Sequence, residues 1–174
     1  MRLAVQVFLI RHPRPLIEPG LCYGRLDVDC EDPLPIAKYL RASIPAGTPI
    51  ITSPLRRARR LAEALDQNAR IDERLSEINF GDWEGKAWDN IDRAALDRWA
   101  TDVLNFVPPS GESVAGLRER VIDFACSLKI PRVAIVSHAG VMRALFGHWR
   151  QLPASEWTQL KFDFASITKI EVAR

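Results

Sequence analysis

The hydrophobic residues of the chain form short unbroken runs that alternate with longer stretches of helical spacing. Almost unbroken apolar runs lie at residues 3–10, Thr48–Thr52 and Arg132–Ser137. Runs of this kind are typical of strands that are buried on both faces. The tail from Thr158 to Val172 predicts one or two further strands.

The clearest helical pattern follows Ser53 and Pro54. A serine can cap a helix, and a proline suits the first helical position because its missing N–H is not needed there. One apolar face is then formed at helical spacing by Leu55, Ala58, Leu61, Ala62 and Leu65. The other predicted helices cover about 36–43, 88–104, 113–128 and 141–151.

Strands that alternate with helices predict the α/β class, here a three-layer α/β/α sandwich with a mostly parallel central sheet. Residues 13–35 and 75–87 are expected to be irregular, since glycine, proline and polar residues interrupt any period. A length of 174 residues fits one domain that spans 1–174.

Composition narrows the choice of partners. A net charge of +2 argues against a nucleic-acid surface. No apolar stretch approaches the roughly 20 residues that cross a bilayer, so no membrane partner is expected. The apolar N-terminus runs straight into Arg11-His12-Pro13 without a small-residue cleavage site, and we therefore expect a cytoplasmic protein.

The three cysteines are odd in number and follow no metal-ligand spacing. We therefore predict that Cys22, Cys30 and Cys126 are reduced thiols and that they bind no metal.

Two strand ends carry the same candidate chemistry. His12 and His138 each end an apolar strand and precede a turn, although the chain has only three histidines. In parallel sheets ligands bind beyond the carboxyl ends of the strands, so both imidazoles should meet at one edge. Arg57 lies in the first turn of the helix after Thr48–Thr52, where it can lean over the same edge. Either histidine alone would more simply be an ordinary strand-end residue.

A loop rich in glycine and aromatic residues supplies the candidate acids. Glu77 and Glu84 both lie in it, and either carboxyl could reach a substrate oxygen. Trp83 and Trp88 could stack on an aromatic leaving group, but buried core tryptophans are more common.

Taken together, these segments resemble the histidine phosphatase superfamily, also called phosphoglycerate-mutase-like proteins. The resemblance covers nearly the whole chain, in the family's order, and rests on five motifs. They are Leu9-Ile10-Arg11-His12, Ser53-x-Leu55-x-Arg57-Ala58, Leu75-x-Glu77-x-x-Phe80-Gly81-x-Trp83-Glu84-Gly85, Pro109-x-Gly111-Glu112-Ser113 and Val136-Ser137-His138-Ala139-Gly140.

The resemblance implies a role for each candidate. His12 would be the nucleophile that takes up the phosphoryl group, and Glu77 would protonate the leaving alcohol. Arg11, Arg57 and His138 would surround the phosphate. Because guanidinium groups supply permanent positive charge and paired donors, neither a metal nor a cofactor would be required.

The chain departs from the family at its first motif. Glycine usually follows the nucleophilic histidine, whereas Pro13 stands there and removes one N–H donor. Arg25, in the irregular segment, is a candidate substrate contact and equally well a surface arginine. Glu84 is the alternative acid, although the motif favours Glu77.

The motifs around Phe80–Gly85 and Gly111–Ser113 look most like alpha-ribazole phosphatases, which act in cobalamin lower-ligand assembly. The leading expectation is therefore a phosphatase whose partner is a small-molecule phosphate ester. The first alternative is a phosphoglycerate mutase or a sugar-phosphate phosphatase. The second alternative is a non-catalytic phosphoester-binding protein. Mutases of the family tend to be longer, which favours hydrolysis. The oligomeric state is left open.

Overall fold

The computed structural model describes residues 4–173, in which five strands form one sheet in the order β3-β2-β4-β1-β5. The strands are β1 (Ala4–Arg11), β2 (Ile50–Thr52), β3 (Arg70–Ile71), β4 (Arg132–Ser137) and β5 (Ile167–Ala173). All neighbours pair in parallel except β5, which runs antiparallel to β1. The predicted α/β fold with a mostly parallel sheet is confirmed.

Six α-helices connect the strands within this part of the chain. They are α1 (Pro33–Arg41), α2 (Arg56–Leu65), α3 (Arg93–Thr101), α4 (Val114–Ser127), α5 (Ala139–Trp149) and α6 (Ala154–Trp157). Single 3₁₀ turns occur at Glu73–Leu75, Gly81–Trp83 and Trp88–Asn90. Every helix within residues 4–173 falls short of the length and apolar content needed to cross a membrane.

Alternation along β1 distributes its side chains to both faces of the sheet. Val7 and Leu9 pack in a core with residues of α4 and α5, whereas Phe8 and Ile10 pack in a second core with residues of α1 and α2. Successive side chains of a strand point to opposite faces. Helices therefore cover both faces, which gives the three predicted layers.

Three segments of the structure differ from the sequence-based prediction. Asp92 begins α3 by accepting a hydrogen bond from the Ala95 N–H, so the helix expected from residue 88 starts at Arg93 and Trp88–Asn90 is a 3₁₀ turn. The two residues of β3 are exposed and lack the apolar run that would have predicted a strand. The tail contains one strand, β5, preceded by the unpredicted helix α6.

The start of α2 also differs from the prediction. The helix begins at Arg56, its N-cap is Leu55, and Ser53 lies before it. The Ser53 hydroxyl still accepts a hydrogen bond from the Leu55 N–H, at 3.2 Å, but it also lies 2.7 Å from Nε2 of His138. Ser53 is thus fully buried between β2 and α2 rather than at a helix end.

Candidate active site

His12 and His138 follow neighbouring parallel strands and lie side by side. Arg11 of β1 pairs with Ser137 of β4, and the His12 N–H donates to the Ser137 carbonyl at 3.0 Å. The two imidazole centroids are 5.0 Å apart, with a 56° angle between the ring planes. Both residues are buried, with 2% and 0% of their surface exposed. The two strand ends thus bring both rings to one edge of the sheet.

The proton on His12 is fixed by a backbone contact. Nδ1 lies 2.6 Å from the carbonyl oxygen of Pro13, which can only accept a hydrogen bond. Nδ1 must therefore carry the proton, and in the neutral ring Nε2 keeps its lone pair.

His12 is kept neutral by its surroundings. Burial lowers its pKa to about 3, and the positive charges of Arg57 and Arg11 contribute in the same direction. The hydrogen bond to Pro13 opposes this shift. A ring with this pKa is uncharged at neutral pH and can act as a nucleophile.

His138 faces the site with one nitrogen that has no partner. Its Nε2 lies 2.7 Å from the Ser53 hydroxyl, while its buried Nδ1 has no hydrogen-bond partner within residues 4–173. Burial, followed by the charge of Arg57, lowers the pKa of His138 well below its usual value. His138 is therefore also a neutral ring.

Two arginines place permanent positive charge beside the histidines. Arg57 is completely buried and donates to the carbonyls of Leu26 (2.9 Å) and Gly24 (2.6 Å). Arg11 donates to the Phe162 carbonyl at 2.6 Å, and its guanidinium lies 3.7 Å from the centre of the Phe164 ring. The Nε atoms of both arginines are buried and have no partner among the described residues.

Glu77 reaches the same edge from the loop after β3. Its Oε2 accepts a hydrogen bond from the Gly140 N–H in the first turn of α5, at 3.1 Å. Its Oε1 accepts from the Ile78 N–H at 3.0 Å. The negative charge of Glu77 raises the pKa of both Arg11 and Arg57, against the larger lowering effect of burial. The carboxylate is thus electrostatically coupled to the two cations.

An arginine missed by the sequence reasoning holds the Glu77 loop. Arg120 of α4 donates to the carbonyls of Ser76 (2.7 Å) and Glu77 (3.1 Å), and it forms a 2.6 Å ion pair with Glu112. Glu112 also accepts from the Asn79 N–H at 3.0 Å. The Gly111-Glu112-Ser113 motif therefore braces the loop.

Glu84 and Arg25 serve a neighbouring loop. The Glu84 carboxylate accepts hydrogen bonds from the backbone N–H groups of Arg25 (2.9 Å), Phe80 (2.9 Å) and Leu26. Arg25 itself pairs with Glu112 at 3.3 Å. Both side chains connect segments 24–26, 77–84 and 112, and they lie in the scaffold around the site.

Two further residues lie beside the histidines in positions that the sequence does not predict. Ser53, predicted as a helix cap, hydrogen-bonds His138 at 2.7 Å. Phe164 contacts the Arg11 guanidinium and lies 5.5 Å, centroid to centroid, from His12. No motif or period marks Phe164, which follows His12 by more than 150 positions. Trp83 is buried in an aromatic cluster, as the core interpretation expected.

Comparison with known proteins shows that the chain is similar to enzymes that act on phosphate esters. The model of the histidine phosphatase superfamily (branch 1) matches residues 35–174, so Arg11 and His12 precede the matched segment. The adenosylcobalamin/alpha-ribazole phosphatase of Salmonella typhimurium is 29% identical over 71% of this chain and 66% of its own.

Two solved structures match over nearly the whole chain. The mycobacterial glucosyl-3-phosphoglycerate phosphatase is 26% identical with a TM-score of 0.82, covering 97% of this chain and 90% of that one. The phosphoglycerate mutase of Thermus thermophilus is 27% identical with a TM-score of 0.77, covering 98% and 99%. The Thermus mutase is therefore about as long as this chain, so the length of this chain does not argue for hydrolysis over mutase activity.

Proposed function

Because this chain belongs to the histidine phosphatase superfamily, branch 1, we propose that it hydrolyses phosphomonoesters through a phosphohistidine formed on His12. One observation supports this most directly. Of the five buried side-chain nitrogens without a partner in residues 4–173, three belong to residues around the His12 ring, namely Arg11 Nε, Arg57 Nε and His138 Nδ1. Buried polar atoms are nearly always hydrogen-bonded, so such a group calls for an acceptor, and a phosphate supplies several.

In the first step, Nε2 of His12 bonds to phosphorus while the bond from phosphorus to the ester oxygen breaks. Glu77, as the carboxylic acid, gives its proton to the departing oxygen. The phosphorylated ring becomes cationic, and the Pro13 carbonyl, which accepts from Nδ1, stabilises that charge. In the second step the Glu77 carboxylate takes a proton from water, whose oxygen displaces the histidine and releases phosphate.

The cations supply the main electrostatic contribution. Phosphoryl transfer spreads negative charge over the equatorial oxygens, so catalysis consists chiefly of positioning and positive charge. Arg57 is fixed by two backbone carbonyls and Arg11 by one carbonyl and one ring. Neither guanidinium needs to reorganise when charge develops. When the Ser53 hydroxyl donates to Nε2 of His138, the free Nδ1 becomes an N–H donor toward the phosphate.

Glu77 is our choice for the acid in preference to Glu84. Its carboxyl is held at Gly140, immediately after Ala139 and close to His138, and it couples to both arginines. The Glu84 carboxylate accepts hydrogen bonds from three backbone N–H groups, those of Arg25, Leu26 and Phe80. The Glu77 carboxylate accepts only two, which leaves it freer to carry and release a proton.

The finer assignments are part of the proposal. Alpha-ribazole 5′-phosphate is the first candidate substrate, supported by the similarity to the Salmonella phosphatase. Activity without a metal is part of the proposal because the guanidinium groups of Arg11 and Arg57 bring permanent positive charge to the His12 ring. A cytoplasmic location and a single-domain chain stay predictions.

The central experiment traps the intermediate. Purified protein would be mixed with a ³²P-labelled phosphomonoester in EDTA and quenched with alkali. We expect protein-bound label that is stable in alkali and lost in acid, none with His12→Gln, and a normal amount with the matched control His148→Gln. Label that survives in His12→Gln would contradict the proposal, and loss of turnover in EDTA would contradict metal independence.

The full-length match to the Thermus enzyme supports the alternative function, a phosphoglycerate mutase. The reaction products distinguish a mutase from a phosphatase. With 3-phosphoglycerate a mutase yields 2-phosphoglycerate, whereas a phosphatase yields inorganic phosphate and glycerate. A panel that contains alpha-ribazole 5′-phosphate, phosphoserine and 3-phosphoglycerate would rank the substrates by kcat/KM. A protein that binds these esters but turns over none would instead be a binding protein.

A further inference from the structure

A cavity of about 270 Å³ lies beside the proposed acid, and its walls contain Glu77 and Gly140. If Glu77 protonates the leaving oxygen, the rest of the alcohol must extend on the side of Glu77. The cavity is then the place for the alcohol, an assignment that rests on the proposed function. Its size is just below the usual range for small-molecule pockets, which fits one compact group.

Most of the cavity wall is apolar. Its apolar side chains come from the Glu77 loop, the α3 end, α4 and α6, and they include Ile78, Phe80, Trp99, Val103, Leu117 and Trp157. Apart from Glu77, the polar side chains in the wall are Tyr23, Arg143 and Thr158, so the wall stabilises a ligand chiefly by removing apolar surface from water.

The aromatic part of the wall is held rigidly from behind. The Trp99 ring stacks on Trp88 with centroids 5.7 Å apart and planes 8° from parallel. Phe80 meets Trp99 edge-on at 6.1 Å. A ring fixed in this way loses little conformational freedom when a ligand binds against it.

One cation interrupts the apolar wall. Arg143 of α5 lines the cavity and donates its Nε–H to the Leu160 carbonyl at 2.7 Å. Within residues 4–173 it forms no ion pair. Arg143 could therefore bind an alcohol that carries a carboxylate. The experiment has to distinguish this ion pair from binding of an apolar group by the wall.

We infer that the alcohol of the physiological substrate carries an aromatic or similarly bulky apolar group, which packs against Trp99 and Val103. The inference names a substrate class and does not depend on which member is used in the cell. It also assigns specificity to the α3 end, a segment without a catalytic motif. Trp99, rather than Trp83 or Trp88, lines this cavity with an aromatic ring.

The test compares esters whose leaving groups have matched acidity. Propyl phosphate and 3-phenylpropyl phosphate differ only in the distant ring, so a difference in kcat/KM reports binding of that ring. We expect 3-phenylpropyl phosphate to be preferred on the order of 10- to 50-fold, as for burial of one apolar group. Val103→Asp, which puts a charge on an exposed part of the wall, should reduce this ratio at least about fivefold.

Val107→Asp is the matched control, since Val107 is an exposed valine of the same segment that does not line the cavity. It should leave the ratio unchanged. A ratio near one in the active wild-type enzyme would overturn the inference but not the proposed function. Preference for 3-phosphoglycerate over both esters, abolished by Arg143→Met, would also overturn it. Calorimetry of both esters with His12→Gln tests the ring preference even without turnover, and equal affinities would refute it.

Discussion

The carboxylate of Glu77 and the backbone of Gly140 are so close that no side chain fits between them. Oε2 accepts the Gly140 N–H at 3.1 Å, and a Cβ built on Gly140 would overlap Oε1. The three heavy atoms nearest to that Cβ all belong to the Glu77 carboxyl group. The position of the proposed acid therefore requires a glycine here.

Gly140→Ala should therefore displace Glu77 and leave the fold intact. We expect kcat on an alkyl phosphate to fall about 10- to 100-fold, part of the contribution typical of a general acid. The loss should be much smaller on 4-nitrophenyl phosphate, because 4-nitrophenolate leaves without a proton. Steady-state kinetics on both esters measure the difference.

Gly116→Ala is the control for adding a methyl group to a helical glycine. Its nearest neighbour would be the Ser113 hydroxyl at an ordinary 3.4 Å, so activity should not change. An equal loss on both esters in Gly140→Ala would mean that the methyl group disturbs the phosphate site and does not act through Glu77.

The edge position of the two histidines could be predicted from sequence because it needs only local information. An apolar run that ends in His12 and another that ends in His138 reach one edge whenever the two strands are parallel. Arg57 could be placed because a helix start follows a strand end. These inferences depend on neighbours in sequence.

Contacts between distant segments could not be predicted in this way. Phe164 reaches Arg11 only because β5 runs antiparallel beside β1 and its preceding loop folds over the strand end. The hydrogen bond from His12 to the Pro13 carbonyl could not be predicted either, since a motif shows which residue is present but not where its carbonyl points. Helix α3 begins later than predicted because Asp92 caps it, while Trp88 and Ile91 pack in the same aromatic cluster from outside the helix.

The Phe164 ring should affect phosphate affinity through Arg11. In Phe164→Leu the guanidinium loses its aromatic partner, whose cation–π contribution is about 0.5–2 kcal/mol. We expect the inhibition constant of inorganic phosphate to rise about 2- to 30-fold, which is that energy converted to affinity. Phe162→Leu is the control, because its side chain packs on Phe146 and only its backbone carbonyl contacts Arg11. Equal inhibition constants in Phe164→Leu and the wild type would show that the ring does not position Arg11.

The cysteines should differ sharply in reactivity. Burial raises the pKa of Cys22 to about 12 and also raises the pKa of Cys30, whereas Cys126 is exposed. Only the thiolate is nucleophilic, so iodoacetamide at pH 8 should modify Cys126 and leave the other two thiols intact. Mass spectrometry of tryptic peptides, before and after unfolding in urea, measures the sites. Rapid labelling of Cys22 in the folded protein would show that its surrounding loop opens.

The low pKa of His12 predicts that the protein loses stability in mild acid. In the unfolded chain the imidazole titrates near 6.5, whereas in the folded protein it titrates at about 3. Between these values the unfolded state binds more protons, so the free energy of unfolding should fall as pH drops from 6.5 toward 3. From pH 7.5 to 5.0 the expected loss from His12 alone is about 2 kcal/mol.

Urea unfolding of wild type and His12→Gln at both pH values measures this contribution. The decrease in free energy between pH 7.5 and 5.0 should be smaller in His12→Gln by about 2 kcal/mol. His148→Gln should retain most of the decrease, because His148 is only partly buried. The decrease that remains in His12→Gln should include the buried His138, whose pKa is lowered by the same causes. If wild type and His12→Gln lose the same free energy, the pKa of His12 in the folded protein is close to its unfolded value, and the ring is charged at pH 5.0 instead of being kept neutral by its surroundings.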